Sequence, residues 1–291
     1  MSKKRAATSK KSKKGAATSG KRTATSKKPS NPQDGGPVCR TQASLVPPQA
    51  ADRSLLRAAP PGGTVMSPQA SVTQPHVRFN YLIPADRLPR EDFRRAINNA
   101  AVHVQRFYAE QLGGSTFMLH DPVVEVFKTG HNASFYSTNP AGQHKSQWFF
   151  NNVTSDAFAV TGGKFFDDHF IWIYYIDAEH DPATGGGAGT SSVAALPRQD
   201  LDGLLGAFND ACRWVGGLGH ELGHALGLNH PAACDANPGS SNPDCRSLMF
   251  LGYPDYPDTF FTEEHRAILS DKPFIMPVEL TDPPFDCADG M

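Results

Sequence analysis

Residues 220 to 230 read HELGHALGLNH, and the reading of this 291-residue chain starts there. His220 and His224 are four apart, so on a helix their side chains lie one above the other on a single face. Two imidazoles at that spacing can bind one metal ion. Glu221 follows the first of them and projects beside the metal, where a carboxylate can take a proton from bound water. Gly227 allows the helix to stop in a left-handed turn, after which the chain swings back to present His230 as a third nitrogen ligand. Three protein ligands leave a fourth position open, which separates catalytic from structural zinc. With 11 His and 26 Gly in the chain, chance places this pattern somewhere with a probability on the order of 10⁻⁵ to 10⁻⁴.

Working outward, Met249 lies nineteen residues after His230 in Ser247-Leu248-Met249-Phe250. On the N-terminal side, residues 76–84 alternate apolar and polar side chains (Val77, Phe79, Tyr81, Ile83), as a half-buried strand does. Pro89 opens a long amphipathic helix through Phe93, Ile97, Ala100, Val104, Tyr108 and Leu112, ended by Gly113-Gly114. Residues 123–128 read as a second strand, and 170–176 as a central strand buried on both faces. A glycine-rich turn over 185–189 precedes a short strand over 191–196. This order predicts α/β (α+β) layering on a mixed, twisted sheet.

The residues just quoted resemble the metzincin metallopeptidases, whose signature is HExxHxxGxxH followed by a Met-containing turn. The resemblance implies a metzincin-like catalytic domain from about residue 74 to 291, with a long zinc-binding helix and a small irregular C-terminal subdomain. It also implies a zinc-dependent endopeptidase in which His220, His224 and His230 hold Zn²⁺ and Glu221 is the general base. Met249 would form a hydrophobic floor under the metal, and 262–269 the late C-terminal helix. The strand at 191–196 sits where that family pairs an extended protein or peptide substrate by β-augmentation, and 252–257 (GYPDYP) would line the pocket after the scissile bond. Two departures leave the subfamily unassigned. Pro231 follows the third histidine where those families carry a polar residue, and Leu251 stands where some carry a tyrosine, with Tyr253 two further on.

Charge is distributed unevenly. Residues 1–30 hold eleven Lys or Arg and no acid, in three copies of a short polar unit (RAATSKK, GAATSGK, RTATSKK), and the remainder has 17 bases against 29 acids. Every aromatic residue lies at or beyond Phe79, so residues 1–30 are expected to be a disordered basic tail and 31–73 a Pro/Gly-rich linker or pro-segment. The tail is suited to nonspecific polyanion binding. A nucleic-acid-tethered peptidase acting on DNA-bound proteins is therefore a rival reading, and a non-catalytic zinc-containing binding module another. No apolar run approaches the roughly 20 residues that span a bilayer, no signal-like apolar stretch follows the first basic cluster, and a monomer is expected.

Five cysteines leave the redox compartment open. A Cys234–Cys245 bridge closing the loop before Met249 is expected if the protein is exported. Cys212 and Cys287 could then make a second bridge and leave Cys39 unpaired, where the resemblance to the matrixin relatives implies that a free thiolate could ligate the zinc and hold the enzyme latent. Asp177, Glu179, His180 and Asp181 read either as a solvated turn or as ligands for Ca²⁺ or a second zinc.

Overall fold

The computed structural model describes residues 74–181, 186–208, 210–237, 241–281 and 286–287. The expectations for the tail, the linker and Cys39 lie outside these residues. The chain forms β1 (His76–Ile83), α1 (Glu91–Gln111), β2 (Ser115–Thr116), β3 (Met118–Lys128), α2 (Phe135–Thr138), α3 (Lys145–Thr161) and β4 (Phe170–Ile176). There follow β5 (Ala188–Thr190), β6 (Val193–Leu196), α4 (Arg198–Leu204), α5 (Ala211–Ala225), α6 (Ala232–Ala236), α7 (Glu263–Ser270) and β7 (Met276–Pro277).

Five strands make one sheet in the order β3-β1-β4-β6-β5. The first four run parallel, and β5 is antiparallel to β6. It is the mixed α/β sheet that the sequence implies. All seven residues of β4 are buried, because its even and odd side chains face different layers. Ile171, Ile173 and Tyr175 meet the layer formed by α1 and α5, whereas Phe170, Trp172, Tyr174 and Ile176 pack with Phe149, Val153 and Ala157 of α3. Each large apolar side chain removed from water in this way contributes about 1.5–3 kcal/mol.

Three sequence expectations are corrected. The helix α3 occupies a stretch where only strands were expected before the zinc helix. Its apolar positions are interrupted by Asn151, Asn152 and Thr154, which blur the helical period, yet Asn152 is buried and its side chain bonds the Tyr136 and Asn139 carbonyls. The strand β3 begins five residues earlier than expected, tolerating Pro122 because it is an edge strand with no partner on one side. The short strand expected at 191–196 is really a hairpin end. Ser191 and Ser192 take positive φ (50° and 72°) and form the turn between β5 and β6, the backbone a tight hairpin needs. Consequently β6 is paired on both sides, and the sheet edge on that side is β5, Ala188–Thr190.

Both expected disulfides, Cys212–Cys287 and Cys234–Cys245, are formed. The first joins the start of α5 to the end of the described chain, and the second ties α6 to the turn that leads to Met249. No helix among the described residues is long and apolar enough to cross a membrane.

Candidate metal centre

The helix α5 starts at Asp210, whose carboxylate accepts from the Arg213 amide (3.1 Å), and ends at Gly227. There φ is +93°, the Gly227 amide donates to the His224 carbonyl, and the Leu228 amide returns to the Gly223 carbonyl. This left-handed stop reverses the chain within one turn. It brings His230 back over the face that carries His220 and His224.

The three Nε2 atoms converge, with His224 to His220 at 3.1 Å, His224 to His230 at 3.2 Å and His230 to His220 at 3.4 Å. Their other ring nitrogens face groups that only accept. The Nδ1 of His220 donates to the Leu248 carbonyl (2.8 Å), that of His224 to the Leu228 carbonyl (2.8 Å), and that of His230 to the Asp235 carboxylate (2.9 Å). With the proton on each Nδ1, three bare lone pairs point at one another, an arrangement that only a shared cation relieves. Burial and the neighbouring imidazoles push the His220 pKa down to about 3 and lower that of His224 as well, so both rings are held neutral, the form in which an imidazole can ligate a metal. Tetrahedral zinc with Zn–N bonds of 2.0–2.1 Å holds its nitrogens about 3.3–3.4 Å apart. The residues present therefore fit the metal.

Met249 is fully buried beneath this face. A Cβ on Gly223 would come within 2.3 Å of the Met249 sulfur, so the glycine between the two ligands is what lets methionine pack so close. The Leu248 carbonyl, one residue before, orients His220.

Glu221 lines a cavity together with His220, Asp200 and Tyr253. One of its carboxylate oxygens has no hydrogen-bond partner among the described residues. Burial, with the Asp200 carboxylate adding to it, pushes its pKa up to about 8. The Tyr253 ring lies 5.5 Å from the His220 ring, so 252–257 reaches this cavity through Tyr253, while Tyr256 is buried against His103.

All four residues expected at the site are thus brought together. Asp235 and Asp200 went unnoticed in the sequence. Asp235 carried a faint signal, an acid five residues past the third histidine, whereas Asp200 lies twenty residues before His220 and enters only because α4 packs on α5. Among the described residues, Asp177, Glu179, His180 and Asp181, the cluster read as a solvated turn or as ligands for Ca²⁺ or a second zinc, do not converge their ligand atoms as the three histidines do. Asp177 is buried against Arg198 (2.7 Å), Asp181 pairs with Lys145, and Glu179 reaches Arg87 (3.5 Å).

No protein-family model and no curated protein matches this chain. Among solved structures, it is similar to OgpA from Akkermansia muciniphila, with 20% identity over 69% of this chain and 61% of that one, at a TM-score of 0.46. A catalytically inactive OgpA in complex with an O-glycopeptide substrate gives 18% identity over 69% and 60% of the two chains, at 0.48. The chain spans about 60% of the length of both. Archaemetzincin from Methanopyrus kandleri gives 17% identity over 71% of this chain and 98% of that one, at 0.38.

Proposed function

We propose that the chain is a zinc-dependent endopeptidase of the metzincin type, its metal held by His220, His224 and His230. The observation that carries this reading is the convergence of three unprotonated Nε2 atoms beside a glutamate whose oxygen is unpartnered. When bound, zinc supplies the Lewis acidity that acidifies a water and polarises a peptide carbonyl. The chain's own residues do the rest. Glu221 takes the proton from the attacking water and returns it to the leaving nitrogen. Its raised pKa belongs to the metal-free site, and a dication nearby favours the ionised form that a base requires. The Leu248 and Leu228 carbonyls and Asp235 hold the three rings in one tautomer, and Met249 fills the space beneath them.

An extended peptide adds as a strand to β5, a free edge of the sheet, rather than to β6. A non-catalytic zinc module has no use for Glu221, because a structural site needs no general base and closes its fourth position with protein. Metal analysis and a casein assay test the reading together. The wild-type chain is expected to bind about one zinc and to lose activity to a chelator. Glu221→Ala is expected to keep the metal and lose on the order of 10²–10⁴-fold in rate. Undiminished cleavage by Glu221→Ala overturns the mechanism.

A further inference from the structure

The cavity beside Glu221 has a volume of about 340 Å³, and its wall includes Arg213, Trp214 and Gly217 of α5, Tyr253, and Asp200 of α4. Asp200 is only 5% exposed, and its Oδ2 has no hydrogen-bond partner among the described residues. Gly217 leaves the helix face bare in front of it. The one atom within 4 Å of where a Gly217 Cβ would stand is the Asp200 Oδ1, at 3.9 Å. The carboxyl group therefore looks across that gap into the cavity.

A carboxylate in the first turn of a helix is favoured by the helix dipole, and the Asp200 amide there donates to the Pro197 carbonyl (3.0 Å). The buried Oδ2 is left unsatisfied, an arrangement that is unfavourable by about 1–3 kcal/mol for a buried acceptor and more for a charge. Burial raises the Asp200 pKa to about 7, although the Arg213 charge and its own amide act to lower it. Arg213 does not relieve it by pairing. Its guanidinium lies over the Trp214 and Tyr253 rings, 5.0 and 5.6 Å from their centroids. The cavity thus has a buried acceptor in its wall that Arg213, held over the two rings, leaves unpaired, and room for a long side chain.

We propose that this cavity receives a Lys or Arg side chain flanking the scissile bond, and that Asp200 is the residue that selects it. The inference rests on the peptidase reading and adds the substrate class. A basic side chain brings the donor that Oδ2 lacks, whereas Leu leaves Oδ2 unpaired and the carboxylate of Glu sets an acceptor against an acceptor. Sites that hydrogen-bond a substrate reject analogues lacking the partner far more strongly than apolar pockets reject a missing methylene.

The zinc-loaded chain is to be given a mixed peptide library, with cleaved bonds mapped by mass spectrometry. Matched peptides carrying Lys, Arg, Leu or Glu at the mapped position then yield kcat/KM ratios. Lys or Arg is expected beside the cut bond, favoured over Leu by at least about tenfold. In Asp200→Asn, which keeps the shape and removes the charge, that ratio is expected to fall toward one. Asp200→Lys is expected to turn the preference toward Glu. Separately, Lys-Gly-Gly and Leu-Gly-Gly are titrated against tryptophan emission, which Trp214 reports from the cavity wall. Tighter binding of the Lys peptide by the wild type, lost in Asp200→Asn, supports the assignment without any cleavage. Cleavage with no basic preference, or a preference that survives in Asp200→Asn, overturns the pocket assignment and leaves the peptidase intact. Charge-dependent binding with no cleavage of any peptide overturns the peptidase reading instead.

Discussion

At the scale of single residues, the site is a set of groups whose protonation is decided by what surrounds them. His220 and His224 are kept neutral by burial and by each other, while Asp200 and Glu221 are pushed toward their protonated forms. For Asp200 this has a consequence for stability. Its folded pKa, about 7, lies above the unfolded value of 3.8, so the folded chain binds more protons than the unfolded one between those values. Stability contributed at this position is therefore present at low pH and lost as pH rises from about 4 through 7. Asp200→Asn removes that dependence. Thermal unfolding of the two proteins at pH 5 and pH 8 is expected to show the variant gaining on the wild type at the higher pH. An equal difference at both pH values contradicts the assigned burial of an unpaired carboxyl.

At the scale of elements, the three-histidine cluster depends on how α5 ends. The main chain turns left-handed at Gly227, at φ +93°, and a side chain there is strained by roughly 1–2 kcal/mol. The only atoms that a Cβ would crowd belong to the flexible end of Lys272, so the strain is in the backbone. Gly227→Ala is expected to lower the metal-free melting temperature and to weaken zinc in a chelator competition, because His230 follows the turn. Unchanged values for both would show that another part of the chain places His230. The same scale shows where periodicity serves and where it fails. The helix α1 lies where its three-to-four-residue spacing puts it, since Phe93, Ile97, Ala100 and Val104 all face the core. The helix α3 was missed because its buried face includes Asn152 and Thr154, polar residues satisfied only after folding. The Ser191-Ser192 turn was missed because serine is not the Asn-Gly or Asp-Gly pair that announces a tight hairpin.

At the scale of the whole molecule, eleven basic residues in 1–30 precede a body with an acidic excess. Lacking aromatic residues for base stacking, such a tail is suited to polyanions only through counterion release, which would act without sequence preference and with steep salt dependence. A chain starting at Gln74 is expected to cleave peptides as well as the full-length protein does, and to elute from a polyanion column at lower salt. Identical elution removes the nucleic-acid-tethered reading and leaves the zinc site untouched, since its residues lie between 200 and 253. The convergence of the three histidines was legible in the sequence because a four-residue spacing on a helix is a local relation, set by 3.6 residues per turn and by one glycine that ends it. The central strand was legible for the same kind of reason, a continuous apolar run that can only be buried on both faces. What surrounds the ligands was decided by tertiary structure. Packing of α4 on α5 brings Asp200 beside Glu221, the turn before Met249 lends a carbonyl to His220, and the β5–β6 hairpin makes β5 a free edge. Each of these pairs residues far apart in the chain or turns on backbone φ, and neither relation leaves a period in the sequence.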